Sequence, residues 1–144
     1  MFLGTFSRTI DDKGRFIIPA KFREELADGL IISIGLNEKC LFVFPREEWK
    51  SFEEKVKSLP LSKKDAQGFA RWFLSQASDE VLDQQGRIAI PGHLKEYAGL
   101  NKDIVIVGVS GRLEIWERGK WEEFYHRASQ RYAEISEDMT AMGF

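Results

Sequence analysis

The sequence predicts an α+β fold in which two tandem repeats share one hydrophobic core. The phrase Asp-x-x-Gly-Arg-x-x-Ile-Pro occurs at residues 11–19 and again at 83–91, half of the 144-residue chain further on. Stretches that alternate apolar and polar residues flank each copy, which is the periodicity of a strand, and amphipathic helices follow. Each half is short for an independent core, because a domain of about 60 residues buries only about 60% of the surface of its unfolded chain. We therefore expect one pseudo-twofold domain.

The repeat extends well beyond the phrase itself. Positions 72 residues apart match without a gap through strands, turns and helices, as Trp49 does with Trp121. These matches place the first repeat at 5–47 and the second at 76–119. Upstream of the first phrase the match needs a shift, which a longer loop in the second copy would explain.

The first repeat is predicted to contain four strands and one short helix. In order these are a strand at 6–10, a strand at 15–18, a helix at 20–26, and strands at 30–34 and 40–44. The first two strands are expected to form a hairpin, because Gly14 can take a positive φ at the turn and Asp11 can bond its own backbone. Pro19 ends the second strand, since it has no amide to donate to a ladder. The second repeat predicts the same order, with its helix at 91–98 and its last strands at 104–109 and 112–116.

Three longer helices are predicted outside the strands. They cover about 46–59, 62–77 and 118–135, where aromatic and apolar residues recur at a spacing of three and four. The tail from Ser136 onward shows no period and is expected to fray.

Composition excludes several classes of protein. No apolar run approaches the roughly 20 residues of a membrane span, and the start of the chain lacks the features of a signal peptide. Cys40 is the single cysteine and lies in an apolar run, so we expect a buried thiol, no disulfide and a cytosolic protein. His93 and His126 stand apart from any catalytic or metal-binding pattern. We expect no enzyme activity, no cofactor and no metal.

Charge differs between the two halves. Residues 1–72 contain 13 basic and 11 acidic side chains, whereas residues 73–144 contain 8 and 12. A basic group surrounds the first phrase, while the second phrase has glutamine at the two positions of Asp12 and Lys13. The candidate DNA-binding residues are Arg8, Lys13, Arg15, Lys21, Arg23 and Arg87.

Two interpretations of the repeated phrase remain open. In the structural one, an aspartate braces the turn and pairs with the arginine four residues later, so that Asp11, Gly14, Asp83 and Gly86 only shape the backbone. In the functional one, a β-hairpin presents Arg15 to the major groove of DNA, which admits a two-stranded ribbon. The second interpretation needs several subunits, because a single chain of net charge −2 would attract DNA weakly.

The two phrases and their surroundings resemble the AbrB/SpoVT superfamily, whose fold is a swapped-hairpin barrel. The tandem arrangement, the start Met-Phe-Leu-Gly and the run DDKGRFIIPAKFR resemble the MraZ family in particular. This resemblance implies a pseudo-twofold barrel with helices outside, assembly into a ring that is often an octamer, and localisation with the nucleoid. It also implies binding to short repeated G-rich boxes in double-stranded DNA upstream of the division and cell-wall gene cluster, usually as a repressor.

The resemblance assigns DNA contact to the first hairpin, which here maps to Arg15 and Lys13. Arg8, Lys21 and Arg23 are added because of local charge, and Arg87 is expected to contribute less because Gln85 replaces the lysine. The alternative is an antitoxin-like or scaffold barrel whose main partner is a protein. Antitoxins of this superfamily usually have one copy of the motif and a long disordered tail, which favours the regulator.

Overall fold

Several strands pair with strands of the other repeat, whereas others pair within their own repeat. The computed structural model describes all 144 residues, and its eight strands are β1 (Phe2–Thr9), β2 (Arg15–Ile17), β3 (Leu30–Ile34), β4 (Leu41–Pro45), β5 (Ser78–Glu80), β6 (Arg87–Ala89), β7 (Asp103–Ser110) and β8 (Arg112–Glu117). An antiparallel six-stranded sheet has the order β1-β7-β8-β4-β3-β5, and β2 pairs with β6 in a separate two-stranded ribbon. Within their own repeats, β3 pairs with β4 and β7 with β8.

The strand order has the symmetry expected of the repeat. Adding 72 to residue numbers takes β3 into β7, β4 into β8 and β2 into β6, while β1 and β5 occupy equivalent positions. Exchanging these strands reproduces the same sheet order read from the other edge. A pseudo-twofold axis therefore passes between β4 and β8 and through the ribbon.

The pairing of β1 and β2 differs from the sequence prediction. They were expected to form a hairpin, but β1 pairs with β7 and β2 pairs with β6, both from the second repeat. The edges of the large sheet, β1 and β5, do not pair with each other, so hydrogen bonds do not close it into a barrel. The observed architecture is an α+β fold with an antiparallel sheet and four helices.

The helices are α1 (Arg46–Lys57), α2 (Lys64–Gln76), α3 (Gly92–Tyr97) and α4 (Arg118–Ala141). The helix predicted at 20–26 is only a single 3-10 turn, Ala20–Phe22, continued by looser turns. The fraying predicted after Ser136 is wrong, because α4 continues to Ala141. None of the helices combines the length and the apolar composition needed to cross a membrane.

Both repeats contribute to one core. Thirty buried apolar residues form a single cluster that includes the inner face of the ribbon, with Phe16 and Ile88 at its centre. Cys40 is buried in the same cluster, as predicted, and burial raises the pKa of its thiol to about 12. The inner face of the ribbon therefore packs on the core, and the outer face of the ribbon does not.

Candidate nucleic-acid interface

The first repeated phrase forms a turn that its aspartate holds together. Asp11 Oδ1 accepts hydrogen bonds from the backbone amides of Lys13 and Arg15, both at 2.9 Å. The amide of Gly14 donates to the carbonyl of Asp11 at 3.0 Å. Gly14 has a φ of 74°, a conformation that side chains other than glycine rarely adopt. The turn thus depends on the two residues that the phrase repeats.

Arg15 is oriented by the same aspartate. Its Nε donates to Asp11 Oδ2 at 2.8 Å, while the two terminal amino groups of the guanidinium have no protein partner. The amide of Arg15 is the main cause that lowers the pKa of Asp11 below its ordinary value of 3.8, and the Arg15 side chain and the Lys13 amide act in the same direction. Asp11 therefore remains ionised and aims the free end of Arg15 outward.

The second turn repeats this geometry. Asp83 Oδ1 accepts from the amides of Gln85 and Arg87 at 2.9 Å, and Arg87 Nε donates to Asp83 Oδ2 at 2.7 Å. Hydrogen bonding to the Arg87 amide again lowers the pKa of this aspartate. Gly86 has a φ of 75°. The two turns differ in side-chain charge and not in backbone shape.

The ribbon brings the two arginines onto one surface. Arg15 lies opposite Ala89, Phe16 opposite Ile88, and Ile17 opposite Arg87. Because side chains alternate across a strand, the residue pairs on either side of the central buried pair project outward.

The turns also lock onto each other across the pseudo-twofold axis. The amide of Ile18 donates to the carbonyl of Gly86 at 3.0 Å, and the amide of Ile90 donates to the carbonyl of Gly14 at 2.9 Å. Arg15 and Arg87 are diagonal neighbours on the ribbon, a relation that separates residues by about 7–8 Å. The interface is therefore one symmetric surface with two arginines, where the sequence suggested two separate hairpins.

Three other predicted basic residues make different contacts. Arg8 donates from Nε to the carbonyl of Ile17 at 3.1 Å, and so ties β1 to the ribbon. Lys21 Nζ lies 5.0 Å from the ring centre of Phe6 and 5.4 Å from that of Phe22. Lys13 is exposed and makes no ion pair.

Arg8 has no basic equivalent in the second repeat. It lies opposite Ile104, whereas Ile32, the equivalent of Ile104, lies opposite Ser78. Ser78 lies five positions before the start of the second phrase, whereas Arg8 lies three positions before the start of the first. The predicted longer loop in the second copy is therefore present.

Arg23 lies elsewhere than its position in the sequence suggests. Local charge grouped it with the first turn, but a Cβ added to Gly86 would clash with Arg23 Nε, so the Arg23 side chain packs over the second turn. Its Nε is buried and has no hydrogen-bond partner. The exchange of strands between the repeats explains this placement, and it gives the second turn a basic neighbour.

Sequence reasoning missed one residue on this surface. Ile17 is 48% exposed and lies on the outer face of the ribbon, opposite Arg87 and two residues along β2 from Arg15. The alternation of buried Phe16 and Ile18 around it was the available signal. Elsewhere in the structure, no group of three or more His, Cys, Asp or Glu side chains is close enough to hold a metal ion.

Comparison with known families gives the same twofold division of the chain. A family model described as "MraZ protein, putative antitoxin-like" matches residues 1–72 and again 73–142. The chain belongs to the MraZ family. The resemblance inferred from the two phrases is thereby confirmed.

Similar proteins of the MraZ family cover almost the whole chain. One from Moorella thermoacetica is 51% identical over 139 residues, 96% of each chain. Relatives from Natranaerobius thermophilus and Clostridium tetani are 49% identical over 139 residues, 96% of each chain, and 50% identical over 143 residues, 99% of each chain. Each of the three is named "Transcriptional regulator MraZ".

Proposed function

We propose that this protein is a sequence-specific DNA-binding transcriptional regulator that reads DNA with the outer face of the β2–β6 ribbon. The observation that carries the proposal is the placement of Arg15 and Arg87 on that one face, each held by an aspartate through Nε. The names of the similar proteins support the regulatory role.

The free ends of the two arginines suit guanine. A guanidinium bonds the O6 and N7 atoms of guanine through two donors, and this is the commonest specific contact in the major groove. Asp11 and Asp83 occupy only Nε, so both terminal amino groups remain available. The backbone separation of about 7–8 Å between the two residues corresponds to about two base pairs at a rise of about 3.4 Å. Ile17, which neighbours both arginines on this face, can contact a thymine methyl group.

The surrounding lysines and arginines would hold the phosphates. Each aspartate offsets the charge of its own arginine, so attraction to the DNA backbone depends on Lys13, Lys21, Arg8 and Arg23. Phosphate contacts position a protein on DNA, whereas base contacts select the sequence. Because Gln85 stands where the first turn has Lys13, we assign the larger share of binding to the first turn.

We further propose that the protein acts as a repressor at short repeated G-rich boxes of the division and cell-wall gene cluster, at the nucleoid in the cytoplasm. Several subunits in a ring, such as an octamer, would add weak individual contacts by raising the effective concentration. Each subunit of the ring would fold as a swapped-hairpin barrel, and the pairing of strands from different repeats supports this proposal.

Selection of bound duplexes from a random DNA pool tests this function directly. We expect enrichment of repeated boxes that contain guanines about two base pairs apart. A pool without enrichment at moderate salt would contradict the proposal, and would favour the alternative of an antitoxin-like or scaffold protein whose main partner is a protein.

A further inference from the structure

The last helix extends beyond the body of the protein. Near its start, Trp121 and Phe124 pack against Trp116, with ring centres 5.3 and 5.4 Å away. From residue 129 to the end of the chain, every residue is exposed except Ser136, which is half-buried. The second half of α4 therefore packs little against its own domain.

An apolar stripe nevertheless continues along the whole of α4. At 3.6 residues per turn, eight side chains fall within a sector of about 100°. These residues are Trp121, Phe124, Tyr125, Ala128, Tyr132, Ile135, Met139 and Met142. Tyr132 is 69% exposed and Met142 is 74% exposed. A stripe of this length and spacing is typical of a helix that packs against another helix.

The first repeat shows what covers the equivalent surface. Trp49 and Phe52 of α1 correspond to Trp121 and Phe124, and Phe73 of α2 lies against both, with ring centres 5.9 and 5.4 Å away. In the first repeat the chain turns after α1 and α2 folds back, whereas α4 runs straight on. The second repeat thus lacks a helix that the first repeat supplies to itself.

Grooves flank the stripe at its smallest residue. One, of about 320 Å³, is lined by Phe124, Arg127, Ala128 and Ile135 among others. The other, of about 370 Å³, lies on the opposite side of Ala128. Grooves around a small residue can receive large side chains from a facing helix, in knobs-into-holes packing.

Charge along one flank of the stripe identifies the facing helix. Lys120, Arg127 and Arg131 occupy this flank in the first half of α4, and Glu134 and Asp138 occupy the same flank in the second half. When two identical helices pair in antiparallel orientation, each flank meets the same flank of the partner. The basic half of one copy then faces the acidic half of the other. A parallel pair would instead place this flank against the opposite flank of the partner, and the basic and acidic halves would not meet.

We propose that two copies of this chain associate through an antiparallel pair of α4 helices, centred on Tyr132. In this register Arg131 faces Glu134 of the second copy and Arg127 faces Asp138. Ile135 packs near Ala128, and Met139 packs near Tyr125, at the edge of the aromatic group that lacks cover. The overlap from 121 to 142 is about 33 Å long.

This contact is independent of DNA binding. A twofold contact joins two subunits and then closes, so a ring would need a second, different interface. Loss of the α4 pair would leave the ribbon intact, and loss of the ribbon arginines would leave the α4 pair intact.

Cysteine cross-linking in the full-length protein tests both the contact and its direction. Tyr132→Cys should give a covalent dimer on mild oxidation, because the two cysteines face each other at the centre. Met139→Cys should give none, since at a rise of about 1.5 Å per residue its two copies lie about 21 Å apart, whereas a disulfide needs Cα atoms within about 7 Å. Glu137→Cys, on the far side of α4, is the control, and the native Cys40 is buried.

Cross-linking at both 132 and 139 would show a parallel pair, and no cross-linking at either position would show that another partner covers the stripe; both results overturn the proposal.

Charge reversal gives a second measurement, by sedimentation. Glu134→Arg should weaken the association about five- to twentyfold, because two symmetry-related ion pairs become repulsive. Adding Arg131→Glu in the same chain should restore it. Glu137→Arg is a matched control on the solvent face and should change nothing. Equal effects of Glu134→Arg and Glu137→Arg, or a double variant no better than the single one, would contradict the pairing.

Discussion

Replacing Arg15 with alanine should separate the reading of bases from the stability of the turn. The substitution removes the guanidinium but leaves the two backbone amides that bond Asp11 Oδ1. The lost ion pair is partly exposed, with 29% of the Arg15 side chain and 37% of the Asp11 side chain accessible. Such solvent-exposed pairs contribute little to stability. The fold should therefore survive the change with little loss of stability.

The expected loss in DNA binding is larger. A bidentate contact between arginine and guanine contributes about 1–3 kcal/mol of discrimination. At about 1.4 kcal/mol per factor of ten, Arg15→Ala should weaken binding to the selected box by about 5- to 150-fold. Binding to unrelated DNA should fall much less, because a base contact carries the specificity and phosphate contacts carry the general affinity.

Fluorescence anisotropy with the selected box and a scrambled duplex, over a range of salt concentrations, measures both quantities. Arg15→Lys is the informative companion, because it keeps the charge and loses the two-donor fork. Arg71→Ala on α2 is a matched control, since this exposed arginine makes no ion pair or side-chain hydrogen bond. An Arg15→Ala variant that keeps full affinity for the box at matched salt would refute the assignment. Equal losses on both duplexes would instead make Arg15 a phosphate contact.

Three further expectations concern the two turns. Arg87→Ala should weaken binding to the selected box less than the equivalent change in the first turn; equal losses in the same titration would show that the turns contribute alike. Lys13→Gln should lower the slope of log affinity against log salt by about one, and Gln85→Lys should raise it by the same amount; unchanged slopes would place both residues away from phosphate. Folding holds the pKa values of Asp11 and Asp83 below 3.8, so their stabilising effect is complete above that pH and is lost as the pH falls through the lowered values. Urea unfolding between about pH 5 and about pH 2 should therefore show that the free energy of unfolding declines less steeply in the Asp11→Asn, Asp83→Asn double variant than in the native protein. An equally steep decline in both proteins would rule out these aspartates as a source of acid sensitivity.

The sequence predicted the local parts of the fold well and the pairing poorly. The turn at Gly14 and the strand beside it follow from residue types within a few positions of each other. Which strand β2 joins does not, because Phe16 and Ile18 would be buried equally well beside β1 or beside β6. Hydrophobic alternation specifies a face, and it leaves the choice of neighbour to the rest of the fold.

The same distinction explains the misplaced site residue. Arg23 was grouped with the first turn because it is near in sequence, but the exchange of strands carries it to Gly86. The error at the end of α4 had a different cause. Ile135, Met139 and Met142 continue the helical spacing. The polar and acidic residues between them obscured this pattern in the sequence, and only a known partner for these side chains would have indicated that the helix continues.

The exchange of strands has a consequence for synthesis of the protein. While the ribosome has released only the first repeat, β1 and β2 have no partners, because these are β7 and β6 from the second repeat. Only β3 and β4 can pair within the nascent first half. The ribbon that carries Arg15 and Arg87 therefore cannot form until β6 has been synthesised, in the second half of the chain, and β1 must wait longer still for β7. A chain terminated before β6 would lack the surface that we propose reads DNA, and would expose unpaired strands that can join other incomplete chains.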